Sequence, residues 1–159
     1  MKKARFLFII LTIFISCNNS RSNNKETGRV YQVQRVIDGD TFVLSTGERV
    51  RLIGIDTPET HHPRKPKEPY GKEATRFTKR MVEGKDVALK FDKDRYDRYK
   101  RLLAYVYVDG VFLNAELVKK GLARATEYKP NVKYSKLFSK LERKAKSKKL
   151  GIWSGIYKE

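Results

Sequence analysis

Three acidic residues, Asp40, Asp56 and Glu59, fall in two short segments of a strongly basic chain: Asp38-Gly39-Asp40-Thr41 and Arg51-Leu52-Ile53-Gly54-Ile55-Asp56-Thr57-Pro58-Glu59. Neighbouring carboxylates repel and raise each other's pKa unless a cation lies between them. Hard oxygen ligands of the Asp40 and Asp56 type select Ca²⁺ or Mg²⁺ over zinc, and no Cys/His set argues for zinc. Pro58 holds Thr57 in an extended conformation, from which its backbone carbonyl could complete the shell. Glu59, three residues past Asp56, is the residue type to orient or deprotonate a metal-bound water. Arg51 and Arg101 are planar, permanently charged donors suited to binding a phosphate and offsetting charge that grows in a transition state. Together these types would perform metal-assisted phosphodiester hydrolysis.

Each residue also has a plainer reading. Asp38-Gly39 is turn chemistry, which is the favoured role for Asp38. Asp-Thr-Pro-Glu alone could be a turn followed by a helix cap, and Arg51 alone an exposed strand residue. His61 and His62 read as loop residues, since no third soft ligand lies near.

The elements that must position these groups belong to one domain. The chain has 159 residues, 40% of them hydrophobic and 11% aromatic, enough for a packed core. A formal net charge of +18 implies an anionic partner: nucleic acid, a membrane surface or a cell-wall polymer. Lys2, Lys3 and Arg5 precede the short apolar run Phe6 to Ile15, too short to span a bilayer comfortably but suited to an export signal over residues 1–16. Ser16-Cys17 then resembles a bacterial lipoprotein cleavage site, with an ordinary cleaved signal or an incidental cysteine as the alternatives. Cys17 is the single cysteine, so no internal disulfide can form. Residues 17–28 read as a polar tether and 29–155 as the folded domain.

Val30 to Ile37, Thr41 to Leu44 and Arg49 to Ile55 read as a three-strand meander turning at Asp38-Gly39 and Thr46-Gly47. In the third strand Val50 and Leu52 share one face, with Arg49, Arg51, Ile53 and Ile55 on the other. After a Pro- and Lys-rich loop, His61 to Glu68, Pro69 can start a helix with Tyr70, Ala74, Phe77 and Met81 on one stripe. Val87, Leu89 and Phe91 alternate as a fourth strand. Leu103 to Val108 forms a fifth and folds back through Asp109-Gly110 onto Val111 to Leu113. Asn114 is expected to cap a short helix ending at Gly121, and Ser135 a last helix with Leu137, Phe138, Leu141 and Ala145 inward. The fold class is therefore α+β, mainly β: a small five-stranded barrel of oligonucleotide-binding type with three helices.

These segments together resemble the staphylococcal nuclease family. The similar stretches include Ile37-Asp38-Gly39-Asp40-Thr41, Arg51-Leu52, Asp56-Thr57-Pro58-Glu59-Thr60, Asp97-Arg98-Tyr99-Lys100-Arg101, Leu103-Ala104-Tyr105, Tyr128-Lys129-Pro130 and Ile152-Trp153, in order over nearly the whole domain. The resemblance implies Ca²⁺-dependent hydrolysis of DNA and RNA at the bond to the 5′-oxygen, leaving 3′-phosphate ends. It implies catalytic roles for Arg51, Glu59 and Arg101, and calcium binding by Asp40, Asp56 and the carbonyl of Thr57. Arg98 and Tyr99 would hold a terminal phosphate, and Tyr128 a base or phosphate. The expected unit is a monomer. Two departures stand out. The segment Ala125-Thr126-Glu127-Tyr128 keeps one tyrosine where the family commonly has two. Lys100 and Leu102 replace glycines beside the second arginine. Two other classes compete: a non-catalytic nucleic-acid-binding barrel, and a basic surface lipoprotein that binds anionic polymers. Retention of all three acids favours the enzyme, because acids repel phosphate.

Overall fold

The computed structural model describes residues 30–60 and 68–155. The expected leader, Cys17, the tether, His61 and His62 lie outside the described residues. Strands β1 (Val30–Asp38), β2 (Thr41–Leu44) and β3 (Arg49–Leu52) form the antiparallel meander, with Asp38 opposite Thr41 across the first hairpin. Val33, Phe42, Leu44, Val50 and Leu52 alternate inward and are buried.

β3 stops earlier than the alternation suggests. Ile53 and Ile55, expected on the arginine face, are both buried, because the chain turns at Gly54 and enters a separate two-residue strand, β4 (Ile55–Asp56). Gly54 has φ +77, and a Cβ there would lie 2.6 Å from the Phe138 ring. Only glycine allows this turn.

Helix α1 (Gly71–Val82) starts after Tyr70, whose left-handed φ of 67 ends the loop, rather than at Pro69. Ala74, Thr78 and Val82 face the barrel and are buried. Beyond the helix, the Glu83 carboxylate accepts the Val36 N–H at 3.0 Å, fastening the helix end to β1. β5 (Asp86–Lys90) pairs antiparallel with β1, and β6 (Leu102–Val108) with β5. A parallel pairing of β3 with β6, Val50 opposite Leu102 and Leu52 opposite Ala104, closes five strands into a barrel. Phe91 lies just past β5 rather than within it.

β7 (Val111–Phe112) folds back onto β6 and leads into α2 (Leu113–Lys119). Asn114 is not its cap. It sits inside the first turn, fully buried, where Oδ1 accepts the Val106 N–H at 2.9 Å and Nδ2 donates to the Ile53 carbonyl at 2.9 Å. β8 (Arg124–Ala125) pairs with β4, and α3 (Ser135–Ser147) covers the barrel end. Phe138 and Ala145 point inward as expected, whereas Leu137 is 38% exposed and Ser135 makes no side-chain cap. Phe138, Tyr134, Phe112 and Tyr105 form one aromatic cluster between α3 and the barrel. A 3₁₀ turn, Gly151–Trp153, ends the described chain. No helix among the described residues is long and apolar enough to cross a membrane.

Candidate active site

The strand pairings bring the acids and arginines to one end of the barrel. Arg51 lies opposite Thr41 on β2, next to Asp40, and beside Leu103 on β6, two residues past Arg101. Its position in β3 therefore puts one guanidinium between an acidic and a basic neighbourhood.

On the acidic side, Arg51 Nη2 donates to Asp56 Oδ1 at 2.7 Å, and Nη1 forms an ion contact with Asp40 Oδ2. Asp40 is buried and further held by Thr57, through its N–H at 2.9 Å and its hydroxyl at 3.0 Å, and by the Thr41 hydroxyl at 3.0 Å. Burial would depress the Arg51 pKa, but Asp40 and Asp56 outweigh it and hold the guanidinium above its ordinary value. Burial pushes the Asp56 carboxyl up, opposed by Arg51 and reinforced by Asp40. Two carboxylates thus share one cation. No group of three or more His, Cys, Asp or Glu side chains converges among the described residues. A divalent ion here would be held by Asp40 and Asp56, with backbone oxygen such as the Thr57 carbonyl and water completing its shell.

Asp38 stands behind this pair. Its Oδ1 accepts from the Gly39 N–H at 2.9 Å, the Thr75 hydroxyl at 2.9 Å and the Thr60 hydroxyl at 3.0 Å. The turn role read from Asp38-Gly39 is present, and a clasp onto α1 and the Thr60 loop is added to it. Burial, then a hydrogen bond with Glu59, raises the Asp38 carboxyl above the ordinary carboxylate range. Glu59 itself is exposed, with Oε1 accepting the Thr60 N–H at 3.1 Å.

On the basic side a cleft of about 550 Å³ is lined by Arg51, Arg98, Tyr99, Arg101 and Tyr128, among others. Asp97 holds Arg101 through Nε alone, at 2.6 Å, and accepts the Arg101 and Tyr99 N–H groups at 2.9 and 2.8 Å. The two terminal nitrogens of Arg101 make no hydrogen bond among the described residues and remain open to an anion. Arg98 donates to the Tyr99 hydroxyl at 2.7 Å. Lys100 takes a left-handed turn, φ 59, and Leu102 is buried in the core, so the residues on either side of Arg101 are accommodated without glycine.

Five of the nine residues singled out in the sequence therefore line the cleft. Asp40, Asp56, Thr57 and Glu59 do not line it; the first three gather behind Arg51, and Glu59 joins Asp38. Asp97, Thr60, Thr75 and Asn131 also build the site but escaped sequence reasoning. Of these only Asp97 carried a signal, an acid four positions before Arg101.

A closed five-stranded barrel with an acid pair on one flank of a strand arginine and a basic cleft on the other defines an oligonucleotide-binding-type barrel equipped to meet a phosphorylated ligand. The family model described as "Staphylococcal nuclease homologue" matches residues 49–155, and the chain belongs to that family. It is 43% identical over 152 residues to a thermonuclease of Staphylococcus intermedius, covering 91% of this chain and 90% of that protein. Against a thermonuclease of Staphylococcus hyicus it is 44% identical over 144 residues, covering 89% of this chain and 83% of that protein. It is 49% identical over 127 residues to endonuclease YncB of Bacillus subtilis, spanning 77% of this chain and 60% of that relative.

Proposed function

We propose that this protein is a Ca²⁺-dependent nuclease that hydrolyses DNA and RNA at the bond to the 5′-oxygen and leaves 3′-phosphate ends, acting as a monomer. The chain is a phosphodiester hydrolase of the staphylococcal nuclease type, as its family and its relatives' names support. The observation that carries the reading is the placement of Arg51 between the Asp40–Asp56 pair and the cleft that contains Arg101.

The roles of the individual side chains are those that the family resemblance implies, and the surroundings of each support them. Asp40, Asp56 and the Thr57 carbonyl are the groups that would hold the calcium ion. That ion, when bound, would supply charge to a phosphoryl oxygen and lower the pKa of a water. Glu59, exposed at the edge of the acids, takes the proton from the attacking water. Arg101 meets the phosphate with its two open nitrogens while Asp97 keeps the fork aimed, and Arg51 offers a second guanidinium. Arg98 and Tyr99 receive a terminal phosphate, and Tyr128 contacts a base. The strongly positive net charge attracts a polyanion, and Arg51, Arg98 and Arg101 put positive charge in the cleft itself.

The test is cleavage of DNA and RNA in Ca²⁺ and then in chelator. Chelation should abolish turnover, and Glu59→Gln or Arg101→Ala should each lower kcat about 100- to 1,000-fold. Undiminished cleavage in chelator would overturn the proposal. Salt-sensitive DNA binding with no turnover would favour the non-catalytic barrel instead. Export through residues 1–16, with a lipid anchor at Cys17, completes the reading and places the protein at the cell envelope. A Cys17→Ser protein should leave the membrane fraction for the medium, and unchanged partitioning would remove the anchor from the proposal.

A further inference from the structure

The described residues include three exposed aromatic side chains, Tyr96, Tyr99 and Tyr128, at 52%, 63% and 51% exposure, and all three line the same cleft. Every other aromatic ring among the described residues is wholly or partly buried. Leaving three rings in water at one place costs apolar burial that the core could have used. The rings differ in what they touch. Tyr99 lies under two guanidinium groups, Arg98 at 4.8 Å and Arg101 at 5.4 Å from its centroid, so it is already engaged by phosphate-binding cations. Tyr96 makes no hydrogen bond, ion pair or ring contact among the described residues.

Tyr96 is nevertheless firmly placed. It sits in a bridge with Leu102, flanked by the Leu103 N–H to Arg95 carbonyl bond at 2.9 Å and the Asp97 N–H to Arg101 carbonyl bond at 3.1 Å. Buried Asn131 then clasps this hairpin to the opposite turn. Its Oδ1 accepts the Asp94 N–H at 2.8 Å, its Nδ2 donates to the Asp94 carbonyl at 2.9 Å, and its own N–H donates to the Tyr128 carbonyl at 2.9 Å. One asparagine thereby fixes Tyr96 and Tyr128 on two walls of one cleft. Arg101, whose open nitrogens suit a phosphate, lines the same cleft.

We propose that Tyr96 is a base-stacking residue, forming with Tyr128 a site for an unpaired nucleobase adjoining the phosphate held by Arg101. The proposal rests on the reading of the cleft as a nucleic-acid site and extends it to a residue outside the acid–arginine set. Stacking is indifferent to base identity because every base has a π-face. The site therefore takes the class of single-stranded or frayed polynucleotide rather than one sequence. The ring supplies the interaction, and the hydroxyl is dispensable.

The experiment titrates a fluorescein-labelled single-stranded oligodeoxynucleotide, and a strand of equal length built of abasic units, against three proteins in Ca²⁺ at fixed salt. The three are the parent, Tyr96→Ala and Tyr96→Phe, each in a Glu59→Gln background that preserves the strand. Tyr96→Ala should weaken binding of the intact strand about 5- to 100-fold, with Tyr96→Phe within about twofold of the parent. The abasic strand should bind all three alike. Unchanged affinity of Tyr96→Ala for the intact strand, or equal losses on both strands, would overturn the site. Cleavage by the wild-type protein is measured in parallel, where Tyr96→Ala should raise KM and leave kcat in place. Absence of wild-type cleavage would remove the nuclease reading while the contrast between strands still decides the stacking site. Full cleavage with no effect of Tyr96→Ala on KM would remove the stacking site alone.

Discussion

Arg51 is the counter-ion of a buried carboxylate as well as a candidate for phosphate binding, and the two duties can be separated by experiment. Asp40 keeps its Thr41 and Thr57 hydrogen bonds without Arg51 but loses its compensating charge. Removing one member of a buried pair costs about 3–5 kcal/mol. Arg51→Met should therefore lower the free energy of urea unfolding by about that amount in chelator, and added Ca²⁺ should restore part of it by supplying the missing charge. A loss that calcium leaves untouched would mean that no cation binds the acid pair. The spacing of Asp40, Asp56 and Arg51 was weak evidence alone, since many surface loops would match it, and the colinear resemblance around them is what singled them out. The clasp of Thr75 and Thr60 on Asp38 was not legible, since Thr75 belongs to α1 and its partner lies 37 positions away.

At the level of elements, Asn114 joins three parts of the molecule. Its amide satisfies the Val106 N–H of β6 and the Ile53 carbonyl at the turn after β3, both from the first turn of α2. Asn114→Leu matches the surrounding apolar core but strands a buried donor and a buried acceptor. Each costs about 1–3 kcal/mol, so unfolding in urea should show a loss of about 2–6 kcal/mol. A near-neutral variant would place a buried water in the amide's stead. Sequence reading took Asn114 for a cap because asparagine favours caps; the partner 61 positions away could not be inferred from local pattern. Alternation did reveal β3 and β5, which each bury one face, whereas β2 is buried on both and was read from its β-branched and apolar run. Alternation misjudged the end of β3, where Gly54 turns the chain and Ile53 and Ile55 both go inside.

For the whole molecule, acid stability rests on opposing carboxylates. In Asp92 burial acts to raise the pKa, but hydrogen bonds from the Lys133 N–H and the Tyr105 hydroxyl outweigh it and leave the group below its usual range. Asp97 is likewise lowered, burial being outweighed by the N–H and guanidinium of Arg101. A folded pKa below the unfolded one stabilises at pH above about 3.9, and that contribution is lost as pH falls through the folded value. Asp38 and Asp56 are raised and act in reverse: their cost is full at neutral pH and fades on acidification. Asp92→Asn should lower Tm at pH 7 and flatten the decline of Tm below about pH 4. Parallel acid profiles for the two proteins would contradict this account.

The parallel rung between β3 and β6 also bears on how the protein comes into being. It joins Val50 to Leu102, residues separated by α1 and β5, and it sets Arg51 alongside Leu103. Local hairpins form early, whereas a loop of this span is costly to close and delays the contacts it brings. A nascent or partly collapsed chain can have Asp40 and Arg51 adjacent through the β2–β3 hairpin while Arg101 is still elsewhere. The alignment of Arg51 with the Arg101 segment therefore depends on closure of the barrel.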